Sequence, residues 1–297
     1  MSQAHDGIRP RRSVLYMPGA RASALEKAKT LPADALIFDL EDAVAPASKA
    51  EARGMATAAA ASKAYGAREI AIRANGLDTP WGYDDLVAIA TSGAHAAVIP
   101  KVESAEAVRK AAAILDRAGA PAELAIWAMI ETPLGVLRVE EIAAEPRVAV
   151  LVMGTSDLAV DLGAAHTPDR HPFLASFALA LLAGRAHGAA VLDGVHLNLA
   201  DDAEFARHCR QAAEMGFDGK TLIHPKQVAP ANAAFGPSAA AIEDAGKVVA
   251  AYEAARAAGQ GVATLDGRLI ENLHAAQARR TLALAAAIAA LGEVGGA

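Results

Sequence analysis

Cysteine is almost missing from this chain: among 297 residues only Cys209 carries a thiol, so no intrachain disulfide can hold the fold together. Aromatic residues are scarce as well, at 4%, and the core has to be built from small and branched aliphatic side chains packed closely between helices and strands. The longest apolar run, Leu282 to Leu291, is too short and too rich in alanine to span hydrocarbon. No basic stretch leading into an apolar one precedes Arg11-Arg12-Ser13, and a cytoplasmic protein without membrane attachment is expected. With 28 Lys and Arg against 34 Asp and Glu, the net charge of −6 argues against a nucleic-acid partner. Absent motifs exclude further classes. No G-x-G-x-x-G follows the first strand candidate, the nine histidines show no zinc-site spacing, and no G-x-S-x-G elbow supports a serine nucleophile.

What is present is a globular composition, 54% hydrophobic and 21% charged. Short runs rich in Val, Ile and Leu alternate with segments of helical periodicity, the pattern of a parallel sheet buried on both faces. Eight runs qualify as strands: 13–17, 35–38, 69–72, 97–99, 124–130, 148–152, 190–192 and 219–223. Leu174, Phe177, Ala178, Leu181 and Leu182 mark one intervening helix, closed by Gly188. Eight βα units of roughly 30 residues fit a (β/α)₈ TIM barrel over residues 10–235. The remainder, 236–297, reads as a C-terminal helical extension, with one helix carrying Ile242, Ala245, Val248, Val249 and Tyr252 and another running from about Ile270 to Leu291.

Polar residues follow the apolar runs: Asp39-Leu40-Glu41-Asp42, Arg73, Lys101-Val102-Glu103, Glu131, Gly154-Thr155-Ser156-Asp157, Asp193 and His224. In a barrel these strand ends converge on one mouth, where barrel enzymes keep their chemistry. Glu131 and Asp157 follow adjacent strands and together could hold one hard divalent cation; taken singly, each could equally cap the next helix. Arg73 suits a substrate carboxylate or a developing oxyanion, or else an ion pair with Glu41 or Asp42. Lys101 sits where a Schiff-base lysine would stand, but Glu103 offers it a partner and a charged structural lysine is expected. His224 reads as a hydrogen-bonding group in a turn.

Taken in order, Arg11-Arg12-Ser13-Val14-Leu15-Tyr16-Met17-Pro18-Gly19, Phe38-Asp39-Leu40-Glu41-Asp42-Ala43-Val44, Arg73-Ala74-Asn75, Ile99-Pro100-Lys101-Val102-Glu103-Ser104, Ile130-Glu131-Thr132-Pro133-Leu134-Gly135 and the stretch from Gly216 to Pro225 form a recognisable set. Over nearly its whole length the chain resembles the citrate lyase beta subunit family, which also holds malyl-CoA and citramalyl-CoA lyases. The resemblance implies a Mg²⁺-dependent carbon–carbon lyase, with Mn²⁺ as a substitute metal. Such an enzyme cleaves or condenses a 3-hydroxy-3-carboxyalkyl thioester, on CoA or a carrier protein, to an acetyl thioester and a 2-oxo acid. It further implies a homotrimer or trimer-based oligomer, Glu131 and Asp157 as metal ligands, Arg73 on the oxygens of the 2-oxo acid, and the backbone around Gly154-Thr155 on the substrate carboxylate.

Two positions depart from the family pattern. After Asp266-Gly267-Arg268-Leu269-Ile270, Glu271 stands where the lyases carry an acid/base Asp, and the extra methylene shifts the carboxylate by about 1.5 Å. Asn198 stands where an acid is common. A lyase using Arg73 and Glu271 as its catalytic groups is therefore the first expectation. The alternatives are a malyl-CoA-type thioesterase, with Glu271 as the base for water, and a non-catalytic carrier-binding subunit.

Overall fold

The computed structural model describes residues 8–294. Eight parallel strands close into a barrel: β1 (Ser13–Pro18), β2 (Ala35–Asp39), β3 (Glu69–Arg73), β4 (Ala96–Ile99), β5 (Ala125–Ile130), β6 (Val148–Met153), β7 (Ala190–Asp193) and β8 (Gly219–Leu222). Strand β1 pairs with β8 and completes the ring. The strands read as continuous apolar runs because both of their faces are buried. Val14, Ile37, Ala71, Val98, Trp127 and Val152 fill the interior. One step along the same strands, Leu15, Leu36, Phe38, Ile72 and Leu151 pack outward under the helices. That alternation, continued to the strand ends, turns Tyr16, Asp39 and Arg73 inward, with Asp39 paired in register to Arg73.

At the N-terminal ends of the strands, paired charges close the floor. Arg11 donates to Glu69 through Nε (2.6 Å) and Nη2 (2.9 Å). Arg12 holds Asp34 through Nε and Nη2 at 2.8 Å each. These bidentate forks tie the entry to β1 to the starts of β2 and β3.

The helix over Leu174–His187 ends at Gly188, whose φ of 77° suits a residue without a Cβ. Its buried face differs from the expected stripe. Phe177, Ala180 and Leu181 are inside, while Leu182 is 69% exposed. This helix is apolar nearly all round, so spacing alone could not orient it.

The chain divides into two compact units, Arg11–Phe235 and a second beginning at Gly236. The second unit contains helices Ala239–Ala257 and Asn272–Val294, packed through Val248, Tyr252, Ile270 and Ala275. Between them lies a hairpin that the helical reading missed, Ala263–Leu265 paired with Arg268–Ile270. Its two-residue turn places Asp266 at φ 48° and Gly267 at φ 74°, the left-handed pair that an Asp-Gly hairpin loop adopts. No helix among the described residues is long and apolar enough to cross a membrane.

Candidate active site

The C-terminal strand ends surround a cavity of about 420 Å³. Arg73, Glu131, Gly154, Thr155 and Asp157 all line it, with Tyr16 and Met129 also contributing to its wall. Glu271 lies in the second unit. It is exposed and directly precedes the last helix, with its backbone N–H donating to His274 Nδ1 at 3.0 Å.

Arg73 is buried and engaged. Its Nε and Nη2 donate to the two oxygens of Asp39, each at 2.7 Å, while Nη1 lies 2.7 Å from Glu41 and 3.2 Å from Asp42. Both expected neighbours, Glu41 and Asp42, thus stand against Arg73, but the bidentate partner is Asp39. Inward parity along β2 is the signal that would have found it. Burial opposes the Asp39 charge, yet Arg73 and the N–H groups of Glu41 and Ala43 hold its carboxyl below the ordinary range. Glu41 shifts the other way. Burial, helped by Asp42 and Glu131 and only partly offset by Arg73, pushes it up to about 8.

Glu131 accepts the backbone N–H of Lys101 through Oε1 at 2.8 Å. Lys101 occupies the left-handed region at φ 48°, a costly conformation for a side-chain-bearing residue, and this strand-end turn is the one whose N–H meets the carboxylate. Its ammonium lies 3.3 Å from Asp157, so the expected pairing with Glu103 is not the one formed. Burial raises Glu131 to about 7, against the Lys101 N–H and with the nearby Asp157 charge adding to the rise. Gly154 makes room for it: a Cβ there would stand 2.3 Å from both Cβ and Oε2 of Glu131.

The capping alternatives resolve separately. Thr132, not Glu131, caps the next helix by accepting the Gly135 N–H at 3.0 Å. Asp157 sits in the first turn of Thr155–Leu162, where its charge suits the helix dipole while its side chain still faces the cavity. His224 is a capping group that accepts the Lys226 N–H.

Among the described residues no group of three or more His, Cys, Asp or Glu side chains forms a closed metal cage. Two carboxylates in one cavity still fit Mg²⁺, which keeps several waters and uses one or two protein oxygens. A cation there would also relieve the repulsion between Glu131 and Asp157.

A family model described as HpcH/HpaI aldolase/citrate lyase matches residues 12–225. The chain belongs to this family. A protein of Cereibacter sphaeroides named (3S)-malyl-CoA thioesterase is 50% identical, over 97% of this chain and 98% of its own length. The L-malyl-CoA/beta-methylmalyl-CoA lyase of the same organism is 36% identical, over 89% of this chain and 91% of its own. Among solved structures, CitE from Mycobacterium tuberculosis in complex with magnesium, acetoacetate and coenzyme A superposes with a TM-score of 0.74 at 29% identity, covering 92% of this chain and 97% of that one.

These similarities correct the expected activity. The lyase name appears at the lower identity, whereas the 50% relative is a hydrolase. The motifs that suggested cleavage of a carbon–carbon bond build the barrel mouth, and relatives named for both activities match the chain across it, so the motifs alone do not choose which bond breaks.

Proposed function

We propose that the protein hydrolyses a malyl-CoA-type thioester, releasing the free hydroxy acid and CoA. The observation that carries this reading is the 50% identity, over nearly the full length of both chains, to (3S)-malyl-CoA thioesterase. The geometry is compatible with it. A thioester of this kind brings a carboxylate and a polarisable carbonyl oxygen, and the cavity offers a permanent cation beside two acidic side chains.

In this reading Glu131 and Asp157 would hold Mg²⁺ or Mn²⁺, which when bound supplies positive charge to substrate oxygens. Magnesium in the M. tuberculosis CitE complex supports that assignment. Lys101, through its N–H, keeps Glu131 oriented. Arg73 orients the acyl carboxylate. Asp39 occupies Nε and Nη2, and with Glu41 pushed up to about 8 that neighbour retains its proton at neutral pH, so Nη1 is the edge of Arg73 that would meet the acyl carboxylate. The backbone N–H of Thr155, at the start of a helix, would supply a further donor to substrate oxygens, while that of Gly154 is already given to the Ile130 carbonyl at 3.1 Å. Glu271, which is not among the residues lining this cavity, would reach it from a neighbouring subunit and take the proton from the attacking water as the carbon–sulfur bond breaks and CoA leaves. We also propose a trimer-based oligomer, to be measured by light scattering of the eluting protein.

Incubation with Mg²⁺ and malyl-CoA tests the reading. Free CoA thiol and malate are expected in equal amounts, with no glyoxylate. Acetyl-CoA and glyoxylate in their place would refute it.

A further inference from the structure

The cavity wall holds a donor that hydrolysis as described does not use. The Tyr16 ring faces the Arg73 guanidinium, 5.0 Å from ring centroid to Cζ. Its hydroxyl donates to the Met129 sulfur at 3.9 Å, and Arg73 Nη1 reaches the same sulfur at 4.0 Å. Two donors from β1 and β3 therefore converge on one thioether, a weak acceptor, in the wall of the cavity. Burial, reinforced by Asp39 and Glu131 and opposed by Arg73, holds the phenol in its protonated form, so it can donate and does not act as a base. A half-buried donor in the cavity wall with so poor an acceptor favours a ligand that brings a better one, and a carboxylate oxygen takes hydrogen bonds from a phenol and a guanidinium together.

We infer that Tyr16 is a specificity-determining residue, whose hydroxyl reads, beside Arg73, a free carboxylate on the acyl portion of the thioester. Acyl thioesters ending in a carboxylate are selected over those ending in a methyl group. The inference rests on the proposed reading only for its choice of ligand. Tyr16→Phe removes the hydroxyl and keeps the ring against Arg73, so folding is checked simply by an unchanged melting temperature.

The experiment compares two non-hydrolysable dethia analogues, of malyl-CoA and of 3-hydroxybutyryl-CoA, which differ in having a carboxylate or a methyl at the same carbon. Calorimetric binding to the Mg²⁺-loaded protein is measured for wild type and Tyr16→Phe. The expected result is a weakening of about 10- to 100-fold for the malyl analogue, the range of a hydrogen bond to a charged group, and less than about twofold for the other. Equal weakening of both, no change in either, or no binding of the malyl analogue to wild type would overturn the inference. If wild type binds the malyl analogue but does not hydrolyse malyl-CoA, the proposed activity falls, and the comparison of the two variants still decides the role of Tyr16.

Discussion

The two ends of the barrel use the same chemistry to opposite ends. At the N-terminal end two arginines meet carboxylates through bidentate forks, Arg11 on Glu69 and Arg12 on Asp34. At the mouth, Arg73 faces Asp39, Glu41 and Asp42 together, while Lys101 shares the rim with Glu131 and Asp157. Balanced pairs are staples. An excess of acid around a cavity is a site, because the repulsion it stores is relieved only by a proton or by a bound cation. Burial pushes Glu41 up to about 8 and Glu131 up to about 7, and the neighbouring acidic charges add to both rises.

The sharpest way to break the contrast is to remove the carboxylate that would hold the metal. Glu131→Gln is expected to lower turnover at least about 10³-fold, with a melting temperature close to wild type, and chelation of the wild type should do the same until Mg²⁺ is restored. Full activity in either case would return Glu131 to a structural role. Glu271→Gln should lose about 10²- to 10⁴-fold in kcat with metal affinity unchanged by titration calorimetry. An unchanged kcat would leave Glu271 as a helix-terminal charge. Arg73→Lys keeps the charge and loses the planar fork, so kcat/KM should fall at least about tenfold in steady-state kinetics.

The floor should answer differently. Arg11→Ala leaves Glu69 without its fork and should cost about 2 kcal/mol in denaturant unfolding, discounted for partial exposure, with kcat unchanged. A rate loss larger than the stability loss would erase the distinction between the two ends.

A smaller effect follows from Glu41. Its folded-state pKa lies near 8, above the ordinary 4.5, so between those values the folded protein binds more protons than the unfolded chain. Its contribution to stability is therefore complete below about pH 4.5 and is lost as the pH rises toward 8. Melting temperatures of the metal-free protein should fall across that window, and less steeply in Glu41→Gln.

Much of the fold is legible in the sequence, for physical reasons that also explain what is not. The strands announced themselves because burial on both faces demands unbroken runs such as Val148 to Val152, and the strand-end polar residues then had one mouth to share. The partner of Arg73 is Asp39 and not the expected Glu41 or Asp42, and the two-residue step from Ile37 is what points Asp39 inward. Tyr16 follows Val14 by the same step. The left-handed turn at Lys101 has no sequence signature, since the residue adopting it is not glycine. The hairpin did have one, Asp266-Gly267, but its strands of three residues are too short to show alternation. The choice between hydrolysis and carbon–carbon cleavage is not legible in the shared motifs, because relatives named for either activity match the chain over most of its length.

Hydrolysis is decided most directly by where the oxygen of the product comes from. With Mg²⁺ and malyl-CoA in H₂¹⁸O, mass spectrometry of the wild-type reaction should find malate carrying one ¹⁸O in the carboxylate released from CoA, and Glu131→Gln should yield no label above the uncatalysed blank. Glyoxylate with acetyl-CoA from the wild type, or equal labelling by the variant, would contradict hydrolysis at this mouth.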